Sequence, residues 1–312
     1  MSINLSVIIP TRNRAGSLSG VLDSICVQSL SQGCFEVIVV DNGSSDNTKQ
    51  ITENFIGKIK NLKYFYEATP GLHVGRHIGL KEAQADILVY TDDDIIAFPN
   101  WLAGVKESFQ NQSADLVGGK ILPRFETAPP SWIMDMWNKR SDQGQALGYL
   151  SLLDFGDEIK EISPHYVWGC NFAIRKSILL DAGGFHPDGM PQELIRYRGD
   201  GETFVSQHVM EKGYKTLYNP KASVYHIVPV SRLTIEYFMR RSFNQAISDA
   251  FTCVRKSGEY GGFQSLKKNI AKARNEVEEK IIIAYNSGID FYTKEINDDQ
   301  SLLEWIMEPS YL

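Results

Sequence analysis

The stretch Ile87-Leu88-Val89-Tyr90-Thr91-Asp92-Asp93-Asp94 decides the expected fold of this chain. A continuously apolar run of this kind is typical of a strand that is covered on both faces of a parallel sheet. Three carboxylates follow where the strand should leave the sheet, and open α/β sheets bind their ligands outside the carboxyl ends of the strands. Hard divalent cations prefer carboxylate oxygens and keep positions for phosphate. The stretch therefore predicts a metal site for a phosphorylated substrate, although a solvated turn or a helix N-cap would explain one of the three aspartates.

Further apolar runs alternate with helical patterns on either side of this stretch. Strands are predicted at residues 5–9, 35–40 and 62–66. Helices are predicted at 18–25, at 74–85 and, after Ser44-Ser45-Asp46, up to about residue 56. This alternation favours a doubly wound, mostly parallel sheet flanked by helices.

The second half of the chain is less regular. Strands are predicted at residues 116–122, 166–174, 216–218 and 223–226, with helices at 176–181 and 203–212. Residues 131–157 show no clear period, which is typical of binding loops or lids. From residue 233 onward the pattern is mainly helical, and it does not distinguish an interaction module from a lid or a packing appendage.

Composition excludes several classes of protein. The 312 residues are 43% hydrophobic and 22% charged, as expected of an ordinary soluble protein with one large domain or two smaller ones. A net charge of -6 argues against broad binding to nucleic acid, which needs a basic face. Four scattered cysteines and the absence of a charged-then-apolar leader favour a cytoplasmic protein. No apolar stretch approaches the roughly 20 residues that span a bilayer, so at most peripheral membrane contact is expected.

Four motifs in order resemble those of family 2 glycosyltransferases. They occupy residues 6–14, 37–46, 71–79 and 90–94, and the likeness continues through 169–175, 181–185 and 220–226. The resemblance implies a GT-A fold, a nucleotide-diphosphate-sugar donor, a divalent metal and transfer with inversion at the anomeric carbon. It covers about residues 1–230, divided into a nucleotide-sugar-binding half (about 1–122) and an acceptor-binding half (about 123–230). A helical C-terminal extension, 231–312, would follow.

The resemblance also assigns residues to the donor. Asp41 matches the acidic residue that reads the donor base, usually uracil, and a carboxylate is a suitable acceptor for the N3–H of that base. A plain Asp-Asn-Gly turn is the alternative for this position. Pro10, Thr11 and Arg12 match the loop that borders the nucleotide, and Arg76 matches a basic residue near the base or the phosphates.

The acidic triplet matches the DxD motif of the family. The resemblance implies that Asp92 or Asp93 approaches the ribose and that Asp94 binds the metal bridging the diphosphate. Mg²⁺ and Mn²⁺ both suit oxygen ligands, and Mn²⁺ tolerates an imidazole more readily. His226 stands where many relatives place a histidine near the metal, although a hydrogen-bonded histidine at a strand end is the alternative.

Inverting transfer needs a base, because an acceptor hydroxyl is a weak nucleophile at neutral pH. Relatives place an acidic pair at the start of one helix, and an ungapped count back from Gly213 puts Glu202 in the position of the base. Gly201 replaces the first acid, which leaves Asp200 as a competitor. Both acids could instead only stabilise the positive end of the helix dipole. Trp168 could offer a flat platform to an acceptor sugar, or could belong to the core.

These residues predict an inverting, metal-dependent glycosyltransferase of polysaccharide biosynthesis. The expected donor is a UDP-sugar and the expected acceptor is a glycan or a lipid-linked glycan. A sugar-phosphate nucleotidyltransferase is an alternative, although residues 11–16 make a poor phosphate loop. A non-catalytic module that binds nucleotide sugars or glycans is another. A dinucleotide dehydrogenase is not expected, because no GxGxxG follows the first strand.

Overall fold

The structure is a computed structural model that describes residues 3–258 and 262–312. Its first half alternates strands and helices. In chain order these are β1 (Leu5–Thr11), α1 (Ala15–Cys26), β2 (Phe35–Asp41), α2 (Thr48–Glu53), β3 (Leu62–Tyr66), α3 (Leu72–Glu82), β4 (Ile87–Tyr90), β5 (Ile95–Ala97), α4 (Trp101–Asn111), β6 (Leu116–Gly118) and β7 (Ile121–Phe125).

The second half adds shorter strands and then three helices. The elements are α5 (Ser131–Trp137), β8 (Gln145–Leu147), β9 (Leu152–Asp154), β10 (Lys160–Glu161), β11 (Phe172–Arg175), α6 (Lys176–Ala182), α7 (Glu202–Glu211), β12 (Thr216–Tyr218), β13 (Val224–Val228), α8 (Ile235–Ser257), α9 (Glu276–Asp298) and α10 (Ser301–Ile306). Residues 131–157, which the sequence left without a period, thus contain a short helix and two short strands.

A mixed sheet with the strand order β10-β12-β6-β11-β4-β1-β2-β3 forms the centre of the fold. Strands β3, β2, β1 and β4 run parallel, and β11 joins β4 antiparallel. Every residue of β1, β2 and β4 is buried, as expected of strands that helices cover on both faces, and the polar pair inside β1 and β2 is joined by a hydrogen bond from the Ser6 hydroxyl to Glu36 Oε1 at 2.6 Å. The carboxyl ends of β1, β2 and β4 therefore lie side by side, and the predicted α/β fold of the GT-A type is confirmed.

The prediction of a single strand at residues 116–122 is wrong, because the chain passes from one sheet to another within this range. β6 belongs to the central sheet, whereas β7 belongs to a second sheet with the order β5-β13-β7-β9-β8. A Cβ on Gly119, between the two strands, would lie 1.8 Å from the carbonyl oxygen of Ala222. Only glycine permits this close approach of two backbone segments. The pattern of apolar residues, from which the strand was predicted, carries no sign of the contact.

The strand predicted at residues 166–174 is correct only in its second part. Short 3₁₀ turns at Pro164–Tyr166 and Gly169–Asn171 precede β11. The buried side chain of Asn171 accepts a hydrogen bond from Trp101 Nε1 at 2.9 Å and donates one to the Ala222 carbonyl at 2.8 Å. These bonds tie the second turn to neighbouring segments, and regular strand pairing begins only after it.

The C-terminal region is helical, as expected. Helices α8, α9 and α10 pack together through a second apolar cluster that includes Phe251, Tyr292 and Ile306. Within the described ranges no helix is both long and apolar enough to cross a bilayer.

Candidate functional site

A cavity of about 440 Å³ opens at the carboxyl ends of β1 and β4. Its wall brings together most of the residues that the sequence singled out, namely Pro10, Thr11, Arg12, Arg76, Asp92, Asp93, Asp94, Asp200 and Glu202. Three of the predicted residues, Asp41, His226 and Trp168, lie beside this cavity rather than on its wall. Residues separated by almost 200 positions in the chain thus meet at the edge of the sheet where an α/β fold binds its ligand.

Asp93 faces the loop after β1. Its Oδ2 accepts a hydrogen bond from Thr11 Oγ1 at 2.7 Å, and its Oδ1 accepts one from Arg14 Nη1 at 2.9 Å. Burial raises the pKa of Asp93 to about 6, against the opposing charge of Arg14. Both oxygens are held within the protein, so this aspartate is the member of the triplet least suited to approach a ribose.

Asp94 lies at the centre of a polar cluster. Its Oδ2 accepts hydrogen bonds from Arg14 Nη1 and Arg232 Nη2, each at 2.8 Å. Its Oδ1 lies 3.2 Å from His226 Nε2. Burial favours the neutral acid, but the nearby His226, Arg232 and Arg14 outweigh it and lower the pKa of Asp94. Asp94 is therefore a carboxylate at neutral pH.

Asp92 is the free member of the triplet. It is half-buried on the cavity wall, and none of the described residues donates a hydrogen bond to it. Burial and the neighbouring Asp94 raise its pKa, and Arg76 partly offsets them. A carboxylate with open lone pairs in a cavity is available to a ligand hydroxyl.

The pair of Asp94 and His226 fits a divalent cation. Asp94 Oδ1 is buried and has no hydrogen-bond partner among the described residues. His226 Nδ1 lies 2.8 Å from the Leu150 carbonyl, so Nδ1 donates, and Nε2 faces Asp94 and accepts a hydrogen bond from Arg232 Nη1 at 3.1 Å, a bond that a cation would replace. Metal-bound histidines characteristically hold their second ring nitrogen in this way. The 3.2 Å between the two facing atoms is close to the roughly 3 Å that separates adjacent ligands of an octahedral ion with bonds near 2.1 Å.

The protein would supply few of the ligands itself. No group of three or more histidine, cysteine, aspartate or glutamate side chains suited to a metal is found in residues 3–258 and 262–312. Two protein ligands match the way in which Mg²⁺ is bound through one or two carboxylates together with substrate phosphates.

Glu202 begins α7 and contacts a buried cation. Its Oε2 pairs with Arg76 Nη1 at 3.0 Å, and its Oε1 accepts the backbone N–H of Gly169 at 3.2 Å. Arg76 is only 2% exposed and lies over the ring of Phe185, 5.0 Å from the ring centre. The pair holds Glu202 as an oriented carboxylate that still reaches the cavity.

Asp200 is occupied by internal partners. Its Oδ1 lies 2.6 Å from His186 Nδ1, and its Oδ2 accepts a hydrogen bond from Thr252 Oγ1 at 2.6 Å. These contacts link the loop before α7 to the C-terminal helix α8. Asp200 thus borders the cavity with both oxygens engaged.

Gly201 explains the missing first acid at the start of α7. Its φ of +54° lies in the left-handed region, and a Cβ there would come within 2.9 Å of Asp188 Oδ2. Asp188 pairs with Arg198 at 2.7 Å and borders the cavity. A carboxylate from the preceding loop therefore occupies the space that a side chain at position 201 would need.

Asp41 is buried at the end of β2. Its Oδ1 accepts the backbone N–H of Ser44 at 2.8 Å, and its Oδ2 accepts the hydroxyl of Tyr64 at 2.7 Å. Each carboxylate oxygen retains a second lone pair, so the side chain could still accept one more hydrogen bond.

A second cavity, of about 330 Å³, adjoins the first. Both cavities share Ser151, Glu202, Thr203, Arg241 and Gln245, so Glu202 lies where the two meet. Trp168 lines the second cavity, and its indole N–H donates to the His165 carbonyl at 3.0 Å. Helices α8 and α9 complete this wall, which gives the C-terminal extension a place in the site.

Sequence reasoning missed three cations. Arg14 stands inside the first motif, in which the resemblance assigns Pro10, Thr11 and Arg12, so its position was a usable signal. Arg232 and Arg241 follow β13 in a region where exposed arginines are ordinary. Only the folded structure shows that Arg232 bonds to Asp94 and that Arg241 lines the same cavity as Glu202.

Comparison with known proteins finds relatives that are glycosyltransferases. In Haloferax volcanii, the glycosyltransferase AglE is 33% identical over 118 residues, which cover 38% of this chain and 39% of AglE. The glucosyl-dolichyl phosphate glucuronosyltransferase of the same archaeon is 22% identical over 253 residues, which cover 80% of this chain and 76% of that protein. The chain thus spans about two fifths of the first of these relatives and about three quarters of the second.

Solved structures share the fold at low sequence identity. The mannosyltransferase PcManGT from Pyrobaculum calidifontis, in complex with GDP-Man and Mn²⁺, aligns with a TM-score of 0.57 at 17% identity, over 98% of this chain and 86% of its own. TarS 1–349 from S. aureus, in complex with UDP-GlcNAc, aligns with a TM-score of 0.54 at 18% identity, over 94% and 92%. Residues 6–183, more than half of the sequence, match the family described as Glycosyl transferase family 2, and the chain belongs to that family.

Proposed function

We propose that this protein transfers a sugar from a nucleotide diphosphate to an acceptor hydroxyl with inversion at the anomeric carbon. One observation carries the proposal: the free carboxylate of Asp92, the Asp94–His226 pair and the oriented carboxylate of Glu202 surround one cavity at the end of the parallel strands. The acceptor oxygen would bond to the anomeric carbon as the bond to the diphosphate breaks. The hydroxyl proton would pass to the base, and the electron pair would leave with the diphosphate.

Asp94 and His226 would hold Mn²⁺ or Mg²⁺, which would neutralise the charge of the departing diphosphate. PcManGT was solved with Mn²⁺ and a nucleotide sugar, which supports metal use within this fold. Arg14 and Arg232, both bonded to Asp94, add positive charge next to the same position.

Glu202 is the base that the geometry favours. It lies between the two cavities, where an acceptor hydroxyl could meet the donor, and 23% of its side chain is exposed. Both carboxylates accept hydrogen bonds at each oxygen, but Asp200 is the weaker candidate because its bonds from His186 and Thr252 are shorter, at 2.6 Å each, and only 8% of its side chain is exposed. A base must come within hydrogen-bond reach of the proton it removes.

UDP is the proposed nucleotide, with Asp41 as the reader of the base and with Pro10, Thr11 and Arg12 along the nucleotide. Asp92 is the proposed partner of the ribose. TarS was solved with UDP-GlcNAc and PcManGT with GDP-Man, so a test of donor binding should include both UDP-sugars and GDP-sugars. The proposed acceptor is a glycan or a lipid-linked glycan, bound beside Trp168 on the cytoplasmic side with at most peripheral membrane contact.

The decisive experiment is a panel of sugar nucleotides and nucleoside diphosphates, with and without Mn²⁺. Thermal shift identifies the bound nucleotide, because a ligand that binds only the native state raises its stability. Product analysis then identifies the reaction. Release of a nucleoside diphosphate from a sugar nucleotide supports the proposal. Formation of pyrophosphate from a sugar phosphate and a nucleoside triphosphate would indicate a nucleotidyltransferase, and binding without either product would indicate a non-catalytic module.

A further inference from the structure

The second cavity carries positive charge that the proposed transfer does not use. Arg241 on α8 and Lys268 in the loop before α9 both line it. Neither side chain forms an ion pair within 4.0 Å of a carboxylate in the described ranges. Arg241 is half-buried and Lys268 is exposed, and two cations without an ion partner on the wall of one cavity form a positive surface that attracts a ligand of opposite charge.

The carboxylates around this cavity are already engaged. Glu202, which lines it, pairs with Arg76. Asp188 is paired with Arg198 at 2.7 Å. Burial alone would raise the pKa of Asp188, but the charges of Arg198, Arg76 and, to a smaller extent, Arg241 outweigh it and lower the pKa. Asp249 behind the wall accepts hydrogen bonds from Tyr285 at 2.6 Å and from Gln245 at 2.7 Å. The charges of Arg241 and Lys268 therefore remain available.

Lys268 is held in place by the fold. Its backbone N–H donates to Asn286 Oδ1 at 2.8 Å, and its carbonyl accepts from Asn286 Nδ2 at 2.9 Å. Its ammonium group lies 3.8 Å from the ring centre of Tyr285. The backbone bonds fix the position of residue 268, and the cation–π contact places its exposed side chain against Tyr285, which also lines the cavity.

We infer that the acceptor carries a phosphate group, and that Arg241 and Lys268 bind it while the acceptor hydroxyl lies at Glu202. This inference rests on the proposed function and names the class of its acceptor. The guanidinium fork of Arg241 suits two phosphate oxygens, and the ammonium of Lys268 adds a point charge. Trp168 and Tyr149, on the same wall, offer apolar faces to a sugar ring. A lipid-linked sugar phosphate and a soluble sugar phosphate both carry this chemistry.

The test is calorimetric titration of the full chain with glucose 1-phosphate and with glucose, before and after saturation with UDP and Mn²⁺. The wild type should prefer the phosphate, and the preference should persist when UDP fills the donor cavity. Lys268→Gln and Arg241→Gln should each weaken phosphate binding by about tenfold or more, as expected for a lost hydrogen bond between charged groups. Vesicles that contain a polyprenyl-linked glucosyl phosphate form a second arm, and the tighter of the two arms identifies the source of the phosphate.

Neighbouring residues provide matched controls with the same change of charge. Lys267 pairs with Asp290, and Arg240 lies over Tyr237, and neither lines the cavity. Lys267→Gln and Arg240→Gln should leave phosphate binding unchanged. Equal losses in the control variants, equal affinity for glucose and glucose 1-phosphate, or displacement of the probe by UDP would each overturn the inference. The titration without nucleotide keeps this outcome separate from a failure of the proposed transfer, which the sugar-nucleotide panel reveals on its own.

Discussion

Replacing Glu202 by glutamine is the sharpest test of the catalytic arrangement. The substitution keeps the size of the side chain and one oxygen acceptor, but the amide cannot take a proton. In the structure the carboxylate accepts hydrogen bonds from Arg76 Nη1 at 3.0 Å and from the Gly169 N–H at 3.2 Å, so the amide oxygen can keep one of these bonds while the amide NH₂ loses the other.

The expected loss of turnover follows from the role of a general base. Such a base contributes about 10²- to 10⁴-fold, which corresponds to about 2.7 to 5.5 kcal/mol in the activation barrier. The same substitution should lower the free energy of unfolding by a smaller amount. Removing one partner of a buried ion pair costs about 3 to 5 kcal/mol, but Glu202 is 23% exposed and the charges of Asp92 and Asp188 also favour the Arg76 cation, so we expect about 1 to 3 kcal/mol.

Release of nucleoside diphosphate from the donor, with water or a glycan as acceptor, measures the effect on turnover. Calorimetry with UDP should show nearly unchanged affinity, because Glu202 is not expected to contact the nucleotide. Asp200→Asn is the matched control. It weakens the contacts to His186 and Thr252, so it should lower the melting temperature while the folded enzyme keeps turnover within a few-fold.

The opposite pattern would refute the reasoning. If Glu202→Gln keeps wild-type turnover while Asp200→Asn loses it, Asp200 is the base. The ungapped alignment of α7 and the argument from engaged oxygens would then both be wrong.

Three further predictions follow from the site and its surroundings. Asp94→Asn should abolish metal-dependent donor binding, and His226→Ala should weaken Mn²⁺ more than Mg²⁺ because imidazole is the softer ligand; metal titration checks both, and equal losses for the two ions would favour a structural histidine. Asp41→Ala should weaken UDP binding by about 1.5 to 3 kcal/mol, and unchanged affinity by calorimetry in a folded variant would reject its role. His77 Nε2 accepts the Phe185 N–H at 2.9 Å, and burial lowers the pKa of His77 to about 4, so its stabilisation is present above about pH 6.5 and is lost as the pH falls through 4. In urea unfolding, the free energy of unfolding of the wild type should fall by up to about 3 kcal/mol over this pH range, and that of His77→Gln should fall by less. Identical pH profiles for the two proteins would contradict the assignment.

Local sequence was sufficient to predict the parallel half of the fold. β1, β2 and β4 are mainly apolar runs, with Ser6 and Glu36 as the polar residues inside them, and each run leads directly into polar residues. Strand formation and burial depend on neighbouring residues in the chain, so the sequence could predict both the sheet and the edge at which the cavity opens. The same locality placed Thr11, Asp41 and the acidic triplet at the ends of adjacent strands.

Sequence patterns failed where distant segments share one space. The break between β6 and β7 depends on the carbonyl of Ala222, about a hundred residues further along. The glycine at position 201 reflects the side chain of Asp188, which no local pattern reveals. Packing across the chain decided both, because steric exclusion acts between atoms that meet only after folding.

The sequence by itself determined which residue types stand at the ends of the strands and at the start of α7, since strands, caps and motifs are local. Only the tertiary structure decided which carboxylates remain free. In the structure Asp93 accepts hydrogen bonds from Thr11 and Arg14, whereas Asp92 accepts none from the described residues. Arg232 and Arg241, which follow β13 in the chain, lie at the same site. The physical reason is that hydrogen bonding and charge pairing depend on distances of about 3 Å in space, which separation along the chain does not encode.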